Sequence, residues 1–209
     1  KPEWLDGVAA PYGDWNAREE TPARMLALAY HVKARAAYER ARDTDGLPND
    51  GWLADSRRLA ELAARELVTI EGEPRYVTQT ALALALESEL LPPHLCERFG
   101  ARLVADVEAK GMTTGFLGTA ELFPALSSLG RTDLGLELLR SRKLPGYGSL
   151  LARGATTLWE RMDGWTEEHG VANGGMTSFN HTPFGSYVAW LFEHVAGLQP
   201  AAPGFAQIA

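Results

Sequence analysis

The stretch Thr80-Ala81-Leu82-Ala83-Leu84-Ala85-Leu86 decides the fold class. Apart from its first residue it is apolar on every side of a helix, and a helix that is apolar all round must be buried. The next segment, from Pro93 to about Lys110, is amphipathic and charged, which is typical of a helix with one buried face. A buried helix followed by a half-exposed one predicts a layered helical body.

The same alternation extends outward along the chain. Towards the N-terminus, Thr21 is predicted to cap a helix that starts at Pro22 and runs to about Arg42. Residues 45–51 have turn composition, and apolar spacing from Trp52 to Leu67 marks a second amphipathic helix. Towards the C-terminus, further helices are predicted over 115–129, 132–142, 155–162 and 184–197, with a glycine-rich loop over 144–154.

Inner and outer helices in succession indicate an all-α protein of the α/α toroid type, in which one ring of helices lies inside another. The predicted helices are fewer than the roughly twelve that a six-hairpin ring needs, so we expect an incomplete ring. Strand signals are weak throughout, because β-branched residues are few and never alternate for long. On periodicity alone, an irregular helical bundle is the alternative.

Composition and charge argue against several classes of partner. The 209 residues are 45% hydrophobic and 22% charged, as in an ordinary globular protein. A net charge of -7 would repel a phosphate backbone, and no apolar run approaches the roughly 20 residues that cross a bilayer. We therefore expect neither nucleic acid nor membrane as a partner. No metal-ligand cluster or cofactor motif is present in the sequence, so no cofactor is predicted.

Cysteine use and the first residues bear on the compartment. The single cysteine, Cys96, cannot form an internal disulfide and suits a reducing environment. The opening Lys1-Pro2-Glu3-Trp4 lacks the basic and apolar regions of a signal peptide. These features favour the cytoplasm over secretion.

Polar, glycine and aromatic residues crowd together at several predicted helix starts. In a toroid the inner helices begin around one mouth, so segments that are distant in sequence should converge there. Aromatic rings stack on the apolar face of a pyranose, while carboxylates, amides and imidazoles bond its hydroxyls. The pattern predicts a sugar site. The segments are Tyr12-Gly13-Asp14-Trp15, Thr113 to Thr119, Ala155 to Arg161, and Ser178-Phe179-Asn180-His181.

The order and spacing of these motifs resemble the C-terminal part of the bacterial α-L-rhamnosidases, glycoside hydrolase family 78. The resemblance covers essentially the whole chain and implies that residues 1–209 are the C-terminal part of one (α/α)6 catalytic domain. It also implies an inverting glycosidase that removes terminal L-rhamnose from glycosides or oligosaccharides. The motifs that carry it are Gly115 to Thr119, Gly154 to Arg161, Asp163-Gly164-Trp165 and Ser178 to His181, supported by Tyr12 to Trp15 and Thr78-Gln79-Thr80.

The resemblance implies that Glu160 is the general base. Inverting enzymes need two carboxyl groups roughly 6.5–9.5 Å apart, an acid for the leaving oxygen and a base for the attacking water. From the residues alone, Trp159 and Arg161 flank Glu160 in a predicted helix, and the cation would keep the carboxylate ionised. A surface Glu-Arg pair without function is the alternative for any such dipeptide, and the surrounding motif favours the base.

Substrate contacts follow from the same resemblance. His181 lies where the family has a histidine that contacts rhamnose, and Asn180 offers both a donor and an acceptor. Trp15 matches a tryptophan of the sugar subsite, with a core aromatic as the alternative. Asp14 either bonds a sugar hydroxyl or orders its loop as an Asx turn. The remaining substrate-binding candidates are Phe116, Trp159 and Trp165.

The chain departs from the family in two ways and lacks one element. Thr182-Pro183 replaces an aromatic residue, and Met162 stands where tryptophan is common, so we expect a different pocket rim. The general acid, a Glu in an Arg-Glu-rich segment followed by Gly-Trp and Gly-Asp, has no match in this sequence. Neither Glu19 nor Glu20 is assigned as the general acid, because no Gly-Trp follows them.

We expect the general acid in the missing N-terminal part of the same catalytic domain, and we expect the isolated chain to be inactive.

Two other hypotheses stay open from the sequence. The chain could belong to another (α/α)6-toroid glycosidase of glucosyl or glucuronyl specificity, since the scaffold hosts several sugar chemistries. It could also be a non-catalytic sugar-binding remnant. A panel of aryl glycosides separates the first from a rhamnosidase, and rhamnose binding without hydrolysis would favour the second.

Overall fold

The computed structural model describes residues 13–46, 61–62, 65–88 and 91–209, and these are mostly helical. Two short strands, β1 (Trp165–Thr166) and β2 (Gly170–Val171), pair antiparallel. Among the described residues, no helix has the length and apolar character to cross a bilayer. The α-helices are α1 (Ala23–Thr44), α2 (Gln79–Glu87), α3 (Pro93–Lys110), α4 (Phe116–Ser128), α5 (Thr132–Arg140), α6 (Tyr147–Ala152) and α7 (Tyr187–Trp190).

Helix α2 lies at the centre of the core, as its all-round apolar sequence predicts. All its residues from Gln79 to Ala85 are buried, and it packs mainly against α4 and α3. The side chain of Thr78 caps it by accepting a hydrogen bond from the Ala81 amide. Burying a leucine such as Leu82, which is 0% exposed, stabilises the fold by roughly 1.5–3 kcal/mol.

The neighbouring helices confirm the alternation. Helix α3 buries one face, which includes Phe99, Leu103 and Val107, and its bounds agree with the prediction. Helix α4 is again largely buried, and α5 is half-exposed. The predicted final helix corresponds to a continuous series of helical turns: a 3₁₀ turn at Pro183–Ser186, then α7, then a π turn at Leu191–Val195.

The start of α1 differs from the prediction that Thr21 caps it. The helix begins at Ala23, and its N-cap residue, Pro22, makes no side-chain capping bond. The Thr21 hydroxyl is instead hydrogen-bonded to the Thr78 hydroxyl at 2.6 Å. A tertiary contact with the start of α2 therefore replaces the local cap. The predicted helix between Trp52 and Leu67 lies mostly outside the described residues.

Two assignments near the candidate site are wrong. The predicted glycine-rich loop over 144–154 contains α6. The predicted helix over 155–162 is irregular, because its main chain pairs with a distant segment. The Glu160 amide donates to the Ser178 carbonyl at 2.9 Å, and the His181 amide donates to the Leu158 carbonyl at 2.8 Å. These bonds replace the local ones that a helix would need.

Candidate active site

Two donors hold the carboxylate of Glu160, one on each oxygen. Trp15 Nε1 donates to Oε1 at 3.2 Å, and the Ser178 amide donates to Oε2 at 3.1 Å. Trp15 is 44% exposed, so this arrangement lies at the surface of the described part of the chain. Each carboxylate oxygen can accept about two hydrogen bonds, which leaves capacity for a further donor such as water.

The surroundings of Glu160 keep it ionised. The Ser178 amide is the largest cause that lowers its pKa, and the Trp15 indole N–H is the second. Nearby His181 and Arg161 lower the pKa further. Arg161, the cation that we expected to keep the carboxylate ionised, is paired with Asp163 through Nε and Oδ1 at 3.0 Å. The two hydrogen bonds therefore lower the pKa of Glu160 more than the adjacent cation does.

The aromatic side of the cluster is built on the start of α4. The Phe116 ring stacks on the His181 imidazole with centroids 5.4 Å apart, and meets the Phe184 ring edge-on at 4.8 Å. The Phe116 amide donates to the Trp15 carbonyl at 3.0 Å. The structure thus brings Trp15, Phe116, Glu160 and His181 into one group.

Asp14 is buried and uses its carboxylate inside the protein. Its oxygens accept hydrogen bonds from the amides of Gly115, Leu117 and Gly118, at 2.8, 2.8 and 3.2 Å. The Thr80 hydroxyl adds a fourth bond at 2.5 Å. A carboxylate at a helix N-terminus satisfies unpaired amides and complements the helix dipole. These contacts favour an anchoring role over the sugar contact that the resemblance implies.

The close approach of this loop to α4 requires glycine. A Cβ at position 115 would collide with the Trp15 carbonyl oxygen, and a Cβ at 118 with the Thr80 hydroxyl. Both glycines therefore have a packing reason: Gly115 lets the main chain of residues 14–15 approach the start of the helix, and Gly118 leaves room for the side chains of Thr80 and Asp14.

The other predicted contacts are divided between surface and core. Trp159 is buried, edge-on to Phe179 at 5.0 Å and with the Arg153 guanidinium 5.4 Å from its ring centroid. This packing favours a core role for Trp159 over the substrate contact that we predicted. Trp165 is 37% exposed in β1, and Asn180 is exposed beside His181. Both remain accessible to a ligand.

A cavity of about 290 Å³ lies beside the cluster. The residues that line it are Asn16, Ala17, Arg18, Met112, Thr114, Leu144, Pro145, Arg161, Met162, Asp163 and Phe184. Trp15, Glu160 and His181 are not among these residues, but their chain neighbours Asn16 and Arg161 are, so the cavity lies next to the group.

Known proteins are similar to this chain in both sequence and fold. The chain is 36% identical to an α-L-rhamnosidase of Streptomyces avermitilis and 32% identical to one of Alteromonas sp., over 97% of its length in each case. It covers 20% and 23% of those proteins, or about a fifth of their length.

The crystal structure of the Streptomyces avermitilis α-L-rhamnosidase complexed with L-rhamnose superposes with a TM-score of 0.88 at 34% identity, over 94% of this chain and 19% of that one. The sequence profile of the bacterial α-L-rhamnosidase six-hairpin glycosidase domain matches residues 1–195. The chain therefore belongs to the bacterial α-L-rhamnosidase family and forms part of its six-hairpin glycosidase domain.

Proposed function

We propose that this chain provides the base side of an α-L-rhamnosidase active site, in a glycosidase that removes terminal L-rhamnose with inversion. Residues 1–209 would form the C-terminal part of one (α/α)6 catalytic domain. Family membership supports the proposal, as does the L-rhamnose complex of the Streptomyces avermitilis relative. The observation that carries it is the Glu160 carboxylate, which Trp15 Nε1 and the Ser178 amide hold by hydrogen bonds that also lower its pKa.

The proposed reaction uses Glu160 as the acceptor of one proton. Water attacks the anomeric carbon as the glycosidic C–O bond breaks, and its proton passes to the Glu160 carboxylate. A general acid from the rest of the domain gives a proton to the leaving oxygen. A base must be ionised before the reaction, and the lowered pKa of Glu160 meets this condition. That lowering also weakens the base, so the position of the carboxylate matters more than its basicity.

Neighbouring side chains would bind the sugar. The exposed ring of Trp15 offers a stacking surface next to the carboxylate, and the polar groups of Asn180 and His181 can bond hydroxyls. Trp165 would contribute to the wall. The Phe116 ring stacks on the His181 imidazole, so Phe116 would affect sugar binding indirectly, by holding His181 in place.

The rest of the domain would pack on an apolar stripe at the C-terminal turns. Val188, Phe192 and Val195 are 44%, 58% and 45% exposed, and their spacing places them on one side of the helical turns. Exposed apolar clusters of this kind mark contact surfaces. Because the chain covers about a fifth of its relatives, a further part of the same domain is the occupant that we propose.

A panel of aryl glycosides tests the proposal on the complete catalytic domain that contains this chain. We expect hydrolysis of the α-L-rhamnoside, with β-L-rhamnose as the first product by NMR. Preferential cleavage of a glucoside or glucuronide would show that the domain is a toroid glycosidase of another specificity. Rhamnose binding without hydrolysis of any substrate would indicate a non-catalytic remnant.

A further inference from the structure

Asn16 makes a separate contact with Glu160, through an atom that Ser178 does not bond. Its Nδ2 donates to the main-chain carbonyl oxygen of Glu160 at 2.8 Å. The residue stands directly after Trp15, whose indole bonds the carboxylate of the same glutamate. Two consecutive side chains therefore hold one residue 144 and 145 positions away, one by its main chain and one by its carboxylate.

The backbone of Asn16 is in the left-handed region, with φ of 63°. Residues other than glycine seldom adopt this conformation, although asparagine tolerates it better than most. Such outliers concentrate at functional sites, where the surrounding structure holds them in place. Here the residue with this conformation bonds the Glu160 carbonyl, and the residue before it bonds the Glu160 carboxylate.

The loop that carries Asn16 is tied firmly to the start of α4. The Ala17 amide donates to the Asp14 carbonyl at 3.0 Å, and the Arg18 amide donates to the Thr113 carbonyl at 2.9 Å. Asp14 itself is held by the helix amides. The side-chain amide of Asn16 thus links Glu160, which lies in an irregular segment, to a loop that is itself bonded to the start of the buried helix α4.

We propose that Asn16 is a positioning residue for the base. It fixes the Glu160 main chain so that the carboxylate stays within reach of both Trp15 Nε1 and the Ser178 amide. The contacts with Ser178 hold Glu160 through its amide and one carboxylate oxygen. The Asn16 bond restrains the Glu160 carbonyl group, which Ser178 does not contact through either bond. This inference rests on the function proposed above.

Asn16→Gly tests the proposal in the complete catalytic domain. Glycine accepts a positive φ and removes only the amide side chain, so the loop conformation survives. We expect kcat for an aryl α-L-rhamnoside to fall about tenfold, with KM changed less than about twofold, since small misplacements of a reacting group reduce turnover. The acid limb of kcat/KM should move to higher pH, because weaker bonds from Trp15 and Ser178 raise the pKa of Glu160.

Two comparisons separate positioning from a general loss of folding. Phe205→Gly places glycine at the other non-glycine residue with positive φ among those described, an exposed position, and should leave the acid limb unchanged. If Asn16 has only a structural role, Asn16→Gly should lower the fraction of active enzyme and leave the acid limb of kcat/KM at the same pH. In a Trp15→Phe background, Asn16→Gly should have a smaller effect, because both act on the same carboxylate.

The outcomes distinguish this inference from the proposed function. Loss of turnover in Glu160→Gln, together with wild-type kcat and acid limb in Asn16→Gly, would overturn the positioning role alone. Wild-type turnover in Glu160→Gln would overturn the base assignment. If the domain has no turnover, a crystal structure of Asn16→Gly tests the inference instead. We expect the Glu160 carboxylate to lie beyond hydrogen-bonding distance of Trp15 Nε1. An unchanged position of that carboxylate would overturn the inference.

Discussion

The indole Nε1 of Trp15 donates a hydrogen bond to Oε1 of Glu160 at 3.2 Å, across 145 positions of sequence. The same indole ring is partly exposed, so it can present a face to a ligand while its N–H orients the carboxylate. The bond lowers the pKa of Glu160, together with the Ser178 amide. Trp15 therefore serves both the proposed sugar contact and the ionisation of the proposed base.

Trp15→Phe should move the pH dependence of the enzyme. The substitution keeps an aromatic ring and removes the N–H that lowers the pKa of Glu160. With that donor gone the pKa rises, so the carboxylate becomes protonated at a higher pH as acid is added, and the acid limb of kcat/KM shifts upward. Trp165→Phe, at another partly exposed indole, is the control. Coincident acid limbs in the wild type and Trp15→Phe would contradict the account.

Asp14→Asn should reduce stability, because an amide cannot replace a carboxylate that accepts from three backbone amides and a hydroxyl. A buried donor left without a partner costs about 1–3 kcal/mol, so we expect the free energy of unfolding to fall by roughly that amount or more. Denaturant unfolding measures it. Asp163→Asn, which breaks an exposed ion pair with Arg161, should cost about 1 kcal/mol or less. Equal losses in the two variants would argue against the anchor.

Leu82→Ala tests the assignment of α2 as the central buried helix. Leu82 is 0% exposed, and removing its side chain should cost roughly 2–5 kcal/mol in the free energy of unfolding. The same change at Leu151, which is 73% exposed, should cost little. A small effect at Leu82 would show that the helix is not packed as described.

The helices were predictable because their signals are local. The apolar run at 80–86 and the amphipathic pattern after Pro93 depend only on residues within a few turns, and the observed α2 and α3 agree with them. The segment over 155–162 also has apolar spacing, with Leu158, Trp159 and Met162. Its structure is set instead by main-chain bonds to residues 178–181, and pairing at that distance leaves no periodic trace.

The composition of the candidate site was partly predictable as well. Motifs of aromatic and polar residues indicated Trp15, Glu160 and His181 as neighbours, and the structure groups them. The Ser178 amide had no such signal, because every residue except proline has a backbone N–H. The use of Asp14 as an anchor depends on a helix start about 100 positions later, so the sequence left two roles open.

The most direct test of the central claim is kcat of Glu160→Gln in the complete catalytic domain. The amide keeps the shape of the carboxylate but cannot accept the proton of water. We expect rhamnose affinity to persist, kcat on an aryl α-L-rhamnoside to fall roughly 100-fold or more, and azide, which needs no deprotonation, to restore cleavage partly as the β-rhamnosyl azide. Unaltered kcat in Glu160→Gln would contradict the assignment of Glu160 as the general base.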